Sequence, residues 1–205
     1  LKAWVWKSEK YRTAIPFSIL FKIAHRLNIP FESILTDIEG FKVWNGKEFK
    51  PNRKLVVDQD FVYGVGLYTG EGKNESKRVY RSSISNSEVE IIKFAIKWFS
   101  KYFKVPKDDL RIYVYLPNHW TVQRKSSYLM KVVQTLKINK DIILPQSLSY
   151  KTDTPMMEVC FDCKVLRLII DWINSYIPSI AVKNQYLGIA YSQGILDGEA
   201  HVRPN

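Results

Sequence analysis

The chain has only two cysteines and three histidines in its 205 residues. So few thiols build no disulfide framework, and nothing argues against a reducing, cytoplasmic setting. The one CxxC, Cys160 and Cys163, has no second CxxC or histidine pair to complete it. A structural zinc takes four ligands, so the pair reads as ordinary residues at a strand end. Long apolar runs are missing too. None reaches the roughly 18 residues that span a bilayer, which excludes a transmembrane helix, and Leu1–Lys7 lacks the apolar core of a signal peptide. Acidic residues are scarce: 20 Asp and Glu face 31 Lys and Arg, a formal charge of +11. A field of that sign gathers polyanions, nucleic acid first and a membrane surface second. No basic amphipathic stretch favours the membrane. What is present is an ordinary globular composition, 46% hydrophobic and 25% charged, long enough to bury a core in one or two domains.

Three parts can be separated. In residues 1–57, Pro16–Asn28 has the apolar spacing of a helix (Phe17, Leu20, Ile23, Ala24, Leu27), with Pro16 near its start and Asn28 near its stop. A shorter helix is expected over Phe31–Ile38, closed by Gly40, and Asn45–Asn52 reads as a loop or linker. In residues 58–182, a helix through Phe61–Glu71 leads into a basic loop and a strand over Val79–Ile84. Ser87 is expected to cap a helix over Glu88–Phe103. Arg111–Leu116 and Met156–Phe161 read as strands, Ser126–Leu136 and Val165–Tyr176 as helices, the last stopped by Pro178. Residues 183–205 hold one more helix, Asn184–Asp197, with no room for a second sheet after it.

Two of these helices are alike. Tyr63-Gly-Val-Gly-Leu-Tyr-Thr-Gly-Glu-Gly72 and Tyr191-Ser-Gln-Gly-Ile-Leu-Asp-Gly-Glu-Ala200, offset by 128, share Tyr63/Tyr191, Gly66/Gly194, Gly70/Gly198 and Glu71/Glu199. Glycine inside a helix costs about 1 kcal/mol relative to alanine, so its presence in both needs a reason. At a spacing of four, Gly66 with Gly70 and Gly194 with Gly198 each line one helix face, where two backbones can approach closely. If those faces meet, Glu71 and Glu199 arrive together at one end. Two close carboxylates resist joint ionisation; a divalent metal relieves that, activates water and stabilises a leaving alkoxide. The alternative, two glycine-rich turns with solvated glutamates, fits the matching apolar positions less well.

The two segments resemble degenerate copies of the LAGLIDADG motif of homing endonucleases, with Glu71 and Glu199 at the acid position. Arg81–Ile92 resembles the strand-to-helix step after the first motif in intein-type and archaeal members. Trp6–Leu35 resembles part of a lambda-repressor-like helix-turn-helix. The resemblance implies an α+β fold, an αββαββα domain with a small helical segment ahead of it, whose saddle-shaped sheet lies on double-stranded DNA. It also implies hydrolysis of one phosphodiester per strand with Mg2+ held by Glu71 and Glu199, assisted by the Gly70 and Gly198 carbonyls. The chain departs from the pattern at Thr69, where the motif has an acid that Asp197 keeps, and at Ala200, where it has glycine. The second repeat also lacks its sheet, so either the protein continues past Asn205 or activity is compromised. A non-catalytic DNA-binding regulator and an RNA-binding helper of intron splicing are the rival readings on the same fold.

For DNA contact the candidates are Lys73, Lys77, Arg78 and Arg81 around the first strand, Arg111 and Arg124 around the next, and Lys151 before the strand at Met156. Such cations position phosphates, and arginine also reads guanine. Tyr80, Tyr113 and Tyr115 interleave with them, and Lys151 is also a candidate to support an active-site water. His25 and His119 carry no argument for chemistry; His201, two residues from Glu199, is the histidine nearest the expected centre. Gly64-Val-Gly66 lacks the lysine-serine ending of a phosphate-binding loop.

Overall fold

A computed structural model of the chain describes residues 17–30, 40–42, 48–52, 54–71, 80–147 and 153–199. It divides into two compact units, residues 1–53 and 54–205, and it is a mixed α+β structure.

In the first unit, helix α1 (Phe17–Leu27) buries Ala24 and ends at Asn28. Asn28 takes a left-handed φ of 52°, a conformation asparagine tolerates, and the Ile29 N–H closes the helix on the Ala24 carbonyl at 3.0 Å. Within the stretch expected to be loop, β2 (Glu48–Phe49) pairs antiparallel with β1 (Phe41–Lys42), matching Phe41 with Phe49. Burial of Phe49 supplies the reason. The expected helix over 31–38 lies outside the described residues, as does most of the helix-turn-helix resemblance.

The second unit opens with α2 (Gln59–Gly70), capped by Asp58, whose carboxylate accepts the Phe61 N–H at 2.8 Å. Then follow β3 (Arg81–Asn86), α3 (Val89–Phe103), β4 (Arg111–Leu116), α4 (Val122–Leu136), β5 (Ile143–Ser147), β6 (Met156–Asp162), α5 (Lys164–Ala181) and α6 (Gln185–Glu199). The sheet order is β3-β6-β4-β5, antiparallel except for the β4–β5 pair. Relative to an αββαββα order, one strand rather than two is described between α2 and α3, and α4 and the parallel strand β5 interrupt the path from β4 to β6.

The register gives the sheet two faces. Ile84, Ile112, Val114, Met157 and Val159 point into the core and are fully buried. Arg81, Ser83 and Ser85 of β3 stand opposite Asp162, Cys160 and Glu158 of β6, with Arg111, Tyr113 and Tyr115 of β4 beside them. Helix α3 packs on β3 and β6 and meets α2 through Phe61, Trp98, Tyr102 and Phe103, whose rings stack or meet edge to face. The Trp98 indole donates to the Phe61 carbonyl at 3.1 Å, and Gly64 admits it, since any added side-chain carbon there would collide with the ring.

Two local expectations are corrected, and one strand is added. Ser87 is not the cap of α3: the Asn86 side chain accepts the Glu88 N–H at 2.9 Å, and Glu88 holds the capping position without a side-chain bond. Pro178 does not stop α5, which runs on to Ala181. Proline removes one hydrogen bond, but Ile177 and Ala181 on either side of it are both buried, and that burial holds the last turn. Strand β5, not among the expected elements, carries Pro145 opposite Val114 at the sheet's edge, the position in a sheet that tolerates proline.

Candidate functional site

Helices α2 and α6 touch through their glycines, and reciprocally. A side-chain carbon on Gly66 would run into the Tyr191 carbonyl and lie 3.1 Å from Gly194 Cα; one on Gly194 would run into the Tyr63 carbonyl and lie 3.0 Å from Gly66 Cα. Likewise Gly70 faces the Ile195 carbonyl and Gly198 faces the Leu67 carbonyl. Each pair maps onto the other under the offset of 128, so the contact has local twofold symmetry. At its end an added carbon on Gly198 would lie 3.1 Å from the Glu71 nitrogen. The C-terminal tips of the two helices therefore adjoin, so Glu71 and Glu199 stand at the same end of the helix pair.

The two acids sit in different surroundings. Glu71 is largely buried, and its Oε1 atom is sealed from solvent without a hydrogen-bond partner. Burial pushes its carboxyl up to about 8; the Ser85 N–H and hydroxyl pull it partly back, and Glu158 adds to the rise. Glu199 is exposed. The cause lies in the packing of each helix's other side. Phe61 and Tyr68 on α2 are 1% and 4% exposed, whereas their counterparts on α6, Ile189 and Leu196, are 58% and 67% exposed. Among the described residues α2 packs on α3, α5 and β3, whereas α6 packs on α2 and α5.

The motif's earlier acid has an internal role. Asp197 accepts from the Tyr63 hydroxyl at 2.8 Å, and its carbonyl accepts from Asn86 Nδ2 at 2.9 Å. Thr69, at the matching position of α2, donates to the Val65 carbonyl at 2.8 Å and meets Asn174 Oδ1 at 2.7 Å.

Beside Glu71 the polar sheet face carries a network. Arg81, 8% exposed, holds Asp162 through Nε at 2.8 Å and lies 3.8 Å from Glu158 and 3.4 Å from the Tyr113 hydroxyl. Burial is the largest single influence on its pKa and lowers it, but the hydrogen bonds to Asp162 and Tyr113 together with the neighbouring negative charge raise it on balance. Tyr115 donates to Glu158 at 2.9 Å, and Arg111 reaches Asp162 at 3.3 Å. Of the residues expected to touch DNA, Arg81 is thus taken up inside the protein and Arg111 shares its acid. Arg124 is exposed, its guanidinium 4.1 Å from the centre of the Trp120 ring. Lys73, Lys77, Arg78 and Lys151, with His201, lie outside the described residues. His119 faces Asp153 at 2.7 Å on the surface, His25 is exposed, and Cys160 and Cys163 are buried thiols.

Ser85, Glu158 and Asp162 were not singled out in the sequence. Their signal is the period of two: Arg81, Ser83 and Ser85, like Glu158, Cys160 and Asp162, share one strand face. Among the described residues no three His, Cys, Asp or Glu side chains gather as metal ligands. Two carboxylates are nonetheless a suitable set for magnesium, which keeps waters and takes its remaining oxygens from phosphate. The unpartnered Glu71 Oε1 is an atom that such a cation would satisfy. No helix among the described residues is long and apolar enough to cross a membrane. Compared with protein-family models, curated protein sequences and solved structures, the chain finds no match.

Proposed function

We propose that the chain is a site-specific, metal-dependent DNA endonuclease of the LAGLIDADG type, with Glu71 and Glu199 as the catalytic acids. One observation carries this reading. The reciprocal glycine contact supports it: two repeat-related glutamates end the two paired helices at the same end, where a helix contact by itself has no use for acids. A divalent cation there would be held by Glu71 and Glu199 with the Gly70 and Gly198 carbonyls, and it would activate water and stabilise the leaving alkoxide. Ser85 favours the ionised Glu71 carboxyl and Glu158, tied to Arg81 and Tyr115, opposes it. A basic chain concentrates the polyanionic substrate. The test is cleavage of long duplex targets with magnesium: Glu71→Gln and Glu199→Gln should each abolish cutting and keep duplex binding, and undiminished cutting by either overturns the assignment.

A second reading, a DNA-binding regulator without catalysis, rests on the likeness of Trp6–Leu35 to part of a helix-turn-helix. It requires specific duplex binding without magnesium and no nicking with any divalent metal.

A further inference from the structure

From Leu110 to Lys140 the chain carries no acidic residue, while it carries Arg111, Arg124, Lys125, Lys131, Lys137 and Lys140. Helix α4 is the centre of this stretch. It is anchored by Thr121, whose hydroxyl accepts the Arg124 N–H at 3.2 Å, and by burial of Val132 and Leu136. Gln123, Ser127, Met130 and Gln134 recur along one line of the opposite, exposed surface at helical spacing. Arg124 and Lys131 flank that line on one side, Ser126 and Lys137 on the other. Among the described residues no ion pair engages Arg124, Lys125, Lys131, Lys137 or Lys140. Stacking on Trp120 holds the Arg124 guanidinium in place without neutralising it. Tyr128, whose pKa is raised by burial and further by the Glu88 charge, lies on the inner half of the helix. The polar sheet face is different, for there Arg81 and Arg111 are matched by Glu158 and Asp162.

We propose that α4 is a duplex-DNA-reading helix, separate from the Glu71/Glu199 end, that places Gln123 and Gln134 against base edges and Arg124 and Lys131 on phosphates, with Lys140 of the 3-10 turn after it as a further phosphate cation. The inference shares its partner with the proposed function but needs none of its chemistry. Charge selects a polyanion. Shape selects DNA over duplex RNA, because the B-form major groove is about 12 Å wide and admits an α-helix, whereas the A-form major groove is too narrow for side chains to read. Glutamine presents a donor and an acceptor together, as adenine does. The small side chains of Ser126 and Ser127 let the first turns of the helix sit close.

The test uses the full chain without divalent metal, a labelled short duplex of random sequence, and sequences selected from that pool. Arg124→Gln/Lys131→Gln/Lys140→Gln should weaken random-duplex binding by roughly tenfold or more, and should make the log–log salt dependence shallower by about 0.9 for each phosphate left without its cation. Gln123→Ala/Gln134→Ala should leave random-duplex binding unchanged and cut the preference for selected sequence by roughly tenfold, as base-edge contacts do. Lys54→Gln/Lys93→Gln/Lys97→Gln removes the same charge elsewhere and should do much less. The proposal is overturned if both triple variants lose affinity equally, if the α4 triple binds as the wild type does, or if duplex RNA competes better than duplex DNA. Absence of cleavage, with α4-dependent binding intact, removes the nuclease reading alone; cleavage that is indifferent to the α4 triple removes the α4 proposal alone.

Discussion

The Tyr63 hydroxyl donates to Asp197 Oδ2 at 2.8 Å, tying α2 to α6 across 134 positions of sequence. The bond has no twin. Tyr191 is the repeat counterpart of Tyr63, but Thr69 stands where Asp197's counterpart would be and spends its hydroxyl on Val65 and Asn174. Tyr63→Phe should therefore destabilise the fold by about 1 kcal/mol, the net worth of an ordinary internal hydrogen bond. With Asp197→Ala in a double-mutant cycle, the two effects should overlap rather than add. Additive losses in denaturant unfolding would show that the bond contributes nothing.

The glycine faces give a sharper test of the helix pair. Gly66→Ala and Gly194→Ala each gain about 1 kcal/mol of helix propensity, but each added methyl meets a carbonyl of the other helix, Tyr191 and Tyr63 respectively. Backbone cannot yield as a flexible side chain does, so the helices must separate. Overpacking typically costs about 1–3 kcal/mol, and opening the whole face adds to it. Both variants should melt lower than the wild type, with faster amide exchange throughout α6. Gly188→Ala, whose methyl would come no nearer than 3.0 Å to the Ala181 carbonyl, should perturb much less. Unchanged exchange in α6 of Gly66→Ala would show that the helices pack more loosely than described.

How much could be read beforehand varies element by element, for physical reasons. The main helices and three strands follow from period and caps: α3 and α5 by their apolar stripes, and α6 by Asn184, whose side chain accepts the Tyr186 and Leu187 N–H groups at 3.1 and 3.2 Å. Helices α3 and α4 end at Phe103 and Leu136 as expected, followed by Lys104 and Lys137 in left-handed conformations of φ 56° and 51° without a glycine; the start of α4 lies at Val122, four residues before the expected Ser126. Glu71 and Glu199 stand out by repetition, whereas the acids that surround Arg81 lie about eighty residues away and meet it only through the β3–β6 register. The spacing of Gly66 and Gly194 is visible in the sequence; which carbonyl stands opposite each is a property of the folded pair alone.

The Arg81–Asp162 pair should behave as a buried ion pair. Asp162 supplies Arg81's shortest contact, 2.8 Å, and also takes Arg111 at 3.3 Å. Asp162→Ala leaves an enclosed guanidinium with only Glu158 at 3.8 Å and the Tyr113 hydroxyl at 3.4 Å. Breaking one side of such a pair costs about 3–5 kcal/mol. Arg81→Met/Asp162→Leu should restore much of the loss, since an apolar pair leaves no stranded charge. A double variant no more stable than Asp162→Ala would mean that the network, rather than charge burial, supplies the stability.

Glu71 makes stability depend on pH with a defined sign. Burial raises its carboxyl from an ordinary 4.5 to about 8 in the folded chain, so the folded state holds a proton that the unfolded state releases. Below pH 4.5 both states are protonated and the group contributes nothing. As pH rises from about 4.5 to about 8 stability falls, and above that the penalty of enclosing the charge is complete. Glu71→Gln, neutral throughout, should melt above the wild type at pH 8.5, with the gap closing as pH falls toward 4.5. Parallel Tm–pH curves would mean that the carboxyl ionises at its ordinary value. Magnesium reverses the comparison under the proposed function. A cation that binds only the folded, ionised site should raise the wild-type Tm at pH 8.5 in proportion to the logarithm of its excess over Kd, and should leave the Tm of Glu71→Gln where it was. Equal shifts in both proteins would place the bound magnesium elsewhere and leave Glu71 as a buried acid without a metal.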